Sequence, residues 1–175
     1  MTSDTNRGLP PVVRKISSTS RGASAANVAI SLTVAAPRPA AQAATDRVAA
    51  QKSDRAAVEQ AALDYVEALY NADPTRIERS VHPQLTKRGF WRDNATLPWG
   101  PQQTMTYEQL MTLAKTWNAD KKRDTSMKKI DVFDVLDQTA TAKVTAMWGV
   151  DYLHLAKYDG RWKIINIVWQ AHPSK

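Results

Sequence analysis

The sequence predicts an α+β domain, helices first and an antiparallel sheet after them, over about residues 53–173. Two observations predict it. Apolar residues recur at helical spacing early in the chain and change to strict alternation from Lys129 onward. The dipeptide Asp159-Gly160 then sits between two apolar runs, the strongest short-range signal of a two-residue hairpin.

Val58, Ala62, Tyr65, Val66 and Leu69 define a first amphipathic helix from about Asp54 to Asn71, capped by Ser53 or Asp54. Asp73 and Pro74 open a short second helix that ends near His82-Pro83. Leu85–Trp91 reads as a short strand, and Arg92–Thr104, with Pro98, Gly100 and Pro101, as an irregular loop. Thr106 and Gln109 form a capping box for a third helix carrying Leu110, Met111, Leu113, Ala114 and Trp117. Asp120–Lys129 is a charged loop. Strands follow over 130–136 and 139–148, with Ile130, Val132, Asp134 and Leu136 sharing one face and Phe133 and Val135 the other.

The last two strands, Val150–Tyr158 and Arg161–Ala171, take their register from the turn. Plain alternation pairs Leu155 with Ile164, Leu153 with Asn166 and Asp151 with Val168. One face then carries Asp151, Leu153, Leu155, Trp162, Ile164, Asn166 and Val168. The other carries Tyr152, His154, Ile165, Ile167 and Trp169. Two apolar faces need two covers, and one layer of helices supplies one. A homodimer through the sheet is therefore expected.

The net charge of +7 is concentrated at the start of the chain. Residues 1–44 hold five basic residues and one acid, while the remaining 131 hold 19 basic and 16 acidic residues. A near-balanced domain gives no reason to expect a nucleic-acid partner. The cluster Lys121, Lys122, Arg123, Lys128 and Lys129 is broken by Asp124 and lacks interleaved stacking aromatics. No run approaches the roughly 20 apolar residues of a membrane span, and no membrane partner is expected. The chain has no cysteine, which excludes disulfides and thiolate chemistry. The three histidines share no ligand spacing, so neither a metal site nor a cofactor is expected.

Residues 1–50 read as a disordered tail or as a signal-peptide-like leader. The second reading rests on four basic residues, a moderately apolar stretch at Ala23–Ala36 and the small-x-small site Ala41-Gln42-Ala43. It implies a secreted or periplasmic protein, the first a cytoplasmic one.

Asp151-Tyr152-Leu153-His154-Leu155, followed by Lys157-Tyr158-Asp159-Gly160-Arg161-Trp162-Lys163-Ile164-Ile165-Asn166, resembles the closing hairpin of the putative lumazine-binding group of the nuclear transport factor 2-like superfamily. His82-Pro83, with Leu85 and Lys87 after it, is similar too. The resemblance implies a cone-shaped, cystatin-like fold, often dimeric, with a cavity between helices and concave sheet. The superfamily includes ketosteroid isomerases, polyketide cyclases, dehydratases and non-catalytic binding or scaffold domains, among which a fold does not choose. The first expectation is a small-molecule-binding domain with an apolar cavity lined from Tyr65, Trp91, Trp99, Asp151 and Asn166. The alternatives are an enzyme using Asp151 or His82 as general base, and a protein-interaction scaffold.

Overall fold

The computed structural model describes residues 39–94 and 96–172; residues 1–38, which carry most of the tail or leader segment, lie outside the described residues. A long helix α1 (Ala40–Asn71) is followed by α2 (Thr75–Ser80), β1 (Val81–Phe90), β2 (Gln103–Met105) and α3 (Tyr107–Thr116). The chain then runs through β3 (Lys128–Val135), β4 (Thr139–Ala146), β5 (Gly149–Tyr158) and β6 (Arg161–Gln170). The six strands form one curved sheet in the order β2-β1-β6-β5-β4-β3. It is mixed rather than antiparallel throughout, because β1 runs parallel to β6.

Several elements depart from the sequence reading. Helix α1 starts fourteen residues before Asp54, so neither Ser53 nor Asp54 caps it. Its added turns bury nothing, and alanine-rich composition sustains them where no apolar stripe marks them. Asp54 instead lies inside the helix, accepting from Lys157 Nζ at 2.7 Å and Trp162 Nε1 at 3.0 Å. Strand β1 begins at Val81 and tolerates Pro83 through an irregular register between Val81 and Thr86. Gln103–Met105, of which Gln103 and Thr104 were expected in a loop, pairs with Lys87–Gly89.

Other expectations are met closely. Thr106 and Gln109 make both bonds of the capping box. Asp159 and Gly160 take φ of 49° and 75°, the left-handed pair a tight primed turn requires.

The largest correction concerns the faces. Leu155 pairs with Ile164 as the turn dictates, but His154 pairs with Asn166, leaving Ile165 as an extra residue in β6. This β-bulge reverses the parity of everything beyond it. Leu153 opposes Ile167, and Asp151 opposes Trp169. A second irregularity falls between Val132 and Asp134 in β3, where Val135 rather than Asp134 joins Ile130 and Val132 toward the helices. The row Gly89, Trp169, Asp151, Val144, Ile130 therefore crosses the inner side of the sheet. The outer side carries Arg88, Val168, Tyr152, Lys143 and Asp131 in one row, and Thr86, Asn166, His154 and Thr141 in the next. Outside the bulge the outer side is mixed in polarity, not apolar.

Helices α1 and α3 cover the inner side with Val58, Ala62, Tyr65, Val66, Leu69 and Leu110. Helix α2 is tied to α1 by Asp64, which accepts from Arg79 at 2.7 Å and from Arg76 at 2.9 Å. The Arg79 guanidinium, helped by Arg76, holds the Asp64 carboxyl below the usual range.

Gly89 is required by its neighbour across the ladder. A Cβ there would stand 2.1 Å from the Trp169 carbonyl oxygen and 2.5 Å from its ring. Since backbone cannot yield cheaply, Gly89→Ala is expected to lower stability by about 3 kcal/mol. At Gly160 nothing lies within 4 Å, and alanine pays only for positive φ, about 1 kcal/mol. Urea denaturation of both variants checks the order; equal losses would contradict it.

Candidate functional site

Strand β1 places Leu85, Lys87 and Gly89 on the inner side of the sheet, all buried. Lys87 is the exceptional member, an ammonium whose side chain is 5 % exposed. On ordinary strand spacing it stands roughly 10–12 Å from Asp151, two strands away diagonally across β6. Only a side chain of lysine's length spans that gap. Lys87 Nζ lies 3.2 Å from Asp151 Oδ1 and donates to the Tyr65 hydroxyl at 2.5 Å. Asp151, fully buried, also accepts from Trp148 Nε1 at 2.6 Å on its second oxygen. Burial, then the Asp151 charge and hydrogen bond, pushes the Tyr65 phenol well above its ordinary value. The phenol is neutral throughout the physiological range.

Trp148 reaches Asp151 because it occupies the two-residue turn between β4 and β5, where Ala146 pairs with Gly149. Gly149 closes that turn at φ 145°, with the Gln170 carbonyl 2.0 Å from where a Cβ would be. The turn points the Trp148 indole back over the sheet. Tyr65 meets it edge-on at 6.3 Å, Tyr70 at 5.6 Å and Trp117 at 5.4 Å.

Beside this cluster is a cleft of about 100 Å³ lined by Leu69, Lys87, Trp91, Met105, Leu113, Trp117, Trp148 and Trp169. Four of its eight lining residues are tryptophans, and among the described residues Lys87 is the one charged member. Larger surface grooves exist, one of about 560 Å³ along Arg55, Glu59 and Lys129–Phe133. That groove is open and charged, its Lys129 and Lys143 already paired with Asp131. The indole cleft is smaller but has the apolar, aromatic lining of a ligand site.

The sequence-predicted residues divide. Tyr65 and Asp151 join through Lys87, and Trp91 lines the adjoining cleft. Asn166 lies on the outer side because of the bulge, 3.1 Å from His154 Nδ1 and accepting from Thr86. Trp99 is 42 % exposed in the loop, stacked under Arg92 at 4.2 Å. His82 stacks on Tyr158 at 4.3 Å, and its Nδ1 accepts from the Gln84 amide. Neither lines the cleft.

Lys87, Trp148, Trp117 and Trp169 were not singled out for the site by sequence reasoning. The available signal for Lys87 was its parity, a lysine alternating with Leu85 and Gly89. The basic cluster of the following loop is taken up locally. Lys121 donates to the Asn71 carbonyl ending α1, Arg123 to the Trp117 carbonyl, and Lys128 to Glu67. No group of three or more potential ligands for a metal ion occurs among the described residues.

The chain belongs to the family described as Putative lumazine-binding, whose model matches residues 53–170. No curated protein matches it. Among solved structures, a nuclear transport factor 2-like protein of unknown function from Silicibacter pomeroyi is 18 % identical, covering 73 % of this chain and 98 % of its own, with a TM-score of 0.51. A similar protein of unknown function from Shewanella baltica is 17 % identical over 79 % and 100 % of the two chains, TM-score 0.49. A protein from Novosphingobium aromaticivorans described as a putative scytalone dehydratase is 11 % identical over 74 % and 96 %, TM-score 0.47. The first of these likenesses shows the fold.

Removing Lys87 strands a buried carboxylate, whereas removing both charges does not. Lys87→Met is expected to cost about 3–5 kcal/mol, and adding Asp151→Leu to recover at least half of it. Chemical denaturation of the single and double variants checks this; a double variant no more stable than Lys87→Met would refute the pairing.

Proposed function

We propose that this chain is a small-molecule-binding domain whose ligand is planar, largely apolar and held between the indoles of the cleft. The observation that carries this reading is the four-tryptophan wall around a single buried cation. Ligand sites are mostly apolar and aromatic with few polar groups placed for orientation, and this cleft has that composition. Its volume is below the roughly 150 Å³ of a cavity that holds benzene. The occupant therefore enters in part, as the edge of one ring or the end of a larger molecule projecting past Trp91, which is 39 % exposed.

The isomerase, cyclase or dehydratase reading has less support. A base must reach the substrate, yet Asp151 is absent from the cleft lining and has each oxygen engaged by a donor. His82 lies with Tyr158 instead.

The family's name makes lumazine a natural first probe, with toluene as its apolar counterpart. Adding either to ¹⁵N-labelled protein is expected to shift the indole N–H signals of Trp91, Trp117, Trp148 and Trp169 saturably. Those of Trp162 and Trp99, away from the cleft, should stay. Absence of any saturable shift up to the solubility limit would count against the binding reading and for a scaffold.

We also propose that the chain is a homodimer through the outer side of its sheet. Phe90, Phe133, Tyr152 and Val168 are 40–54 % exposed there, interspersed with Arg88, Lys143 and Asp131. Sedimentation at micromolar concentration is expected to give twice the chain mass, shifting to monomer in Tyr152→Glu; a monomeric parent protein would refute it.

A further inference from the structure

The cluster at the end of the cleft has one hydrogen-bond donor left over. An ammonium carries three N–H donors and no acceptor. Among the described residues Lys87 Nζ donates to Tyr65 Oη and lies in hydrogen-bond range of Asp151 Oδ1, two directions of the three. Lys87 itself lines the cleft, with Nζ 5.7 Å from the Trp169 ring centroid. Tyr65 and Asp151 are not lining residues. Of the three groups Lys87 alone lines the cleft, so its remaining N–H is the donor that a molecule held there can meet.

Charge narrows what meets it. Asp151 already balances Lys87, and Tyr65 carries no charge. The cluster is therefore neutral as a unit. A carboxylate entering the cleft would bring a second negative charge against an aromatic wall without a second cation, at the cost of part of its hydration. A carbonyl oxygen accepts from the ammonium while adding no net charge, and hydrogen bonds to charged donors are among the stronger ones. We infer that the cleft takes a neutral aromatic carbonyl compound, its oxygen accepting the third proton of Lys87 and its ring lying between the indoles of Trp148 and Trp169.

This inference rests on the binding reading above, and three one-ring probes of nearly equal shape separate the two. Ethylbenzene, acetophenone and benzoate are titrated into the full chain, with affinities read from the indole N–H signals. Acetophenone is expected to bind about tenfold tighter than ethylbenzene, with benzoate weaker than acetophenone. In the Lys87→Met/Asp151→Leu variant, acetophenone and ethylbenzene are expected to bind equally. Equal affinities in the parent protein would overturn the carbonyl assignment and leave the cleft intact as an apolar site. Benzoate binding tightest would overturn it in favour of an anion site. Binding by none of the three would overturn the cleft reading, and the inference with it.

Discussion

A buried ammonium is the constraint around which the helix-facing side of this sheet is arranged. Lys87 cannot remain charged in an apolar core without a counter-ion, and the nearest strand cannot supply one, since Ile167 stands opposite it. The partner comes from β5, beyond β6, and the remaining donors and acceptors follow from that choice. Tyr65 on α1 gives its hydroxyl to the ammonium, which ties the helix to β1. Trp148 gives its indole N–H to the second carboxylate oxygen, which fixes the turn between β4 and β5. The apolar cleft is the space these three commitments leave, closed on its other flank by Trp91, Met105 and Leu113.

Such an arrangement is costly and correspondingly exacting. Two charges taken out of water are repaid only when geometry is good and the leftover lone pairs are satisfied. Here both Asp151 oxygens have donors, and the Tyr65 hydroxyl is both acceptor and neutral bystander. Gly89 serves the same end from the backbone, because only a residue without Cβ lets Trp169 stand where it does, at the wall of the cleft.

What could be read from the sequence was whatever local chemistry determines. Asp159-Gly160 announces its turn because two consecutive left-handed residues suit few dipeptides. Thr106 and Gln109 announce a helix start because the two side chains satisfy backbone donors three residues apart. Asp151 emerged as a polar group on an apolar face, Tyr65 as an aromatic in the apolar stripe of the first helix, and Trp91 as an aromatic bordering an irregular loop. The rest depended on pairing at a distance. Whether β1 is an edge strand or lies between β2 and β6 decides whether Lys87 is solvated or buried, and nothing within ten residues of it says which. Asn166 was assigned to the cleft by counting in twos from a turn, and a count in twos fails wherever one strand carries a residue its partner does not. Trp148 was read as the end of a strand when it is the middle of a turn.

The bulge at Ile165 has a consequence for how such a site changes over time. By absorbing one residue, it lets the turn end of the β5–β6 ribbon and the cleft end keep separate addresses. Trp162, Ile164 and Leu155 answer to the turn, while Ile167 and Trp169 answer to β1. Sliding the extra residue two places along β6, to Ile167, would re-address only what it passes. Asn166 would turn inward while Trp169 kept its place. An amide would face inward in the row of Lys87 and Leu153 without any codon for the cleft having changed. The register of one strand is thus a second alphabet for this site, written in pairing rather than in side chains.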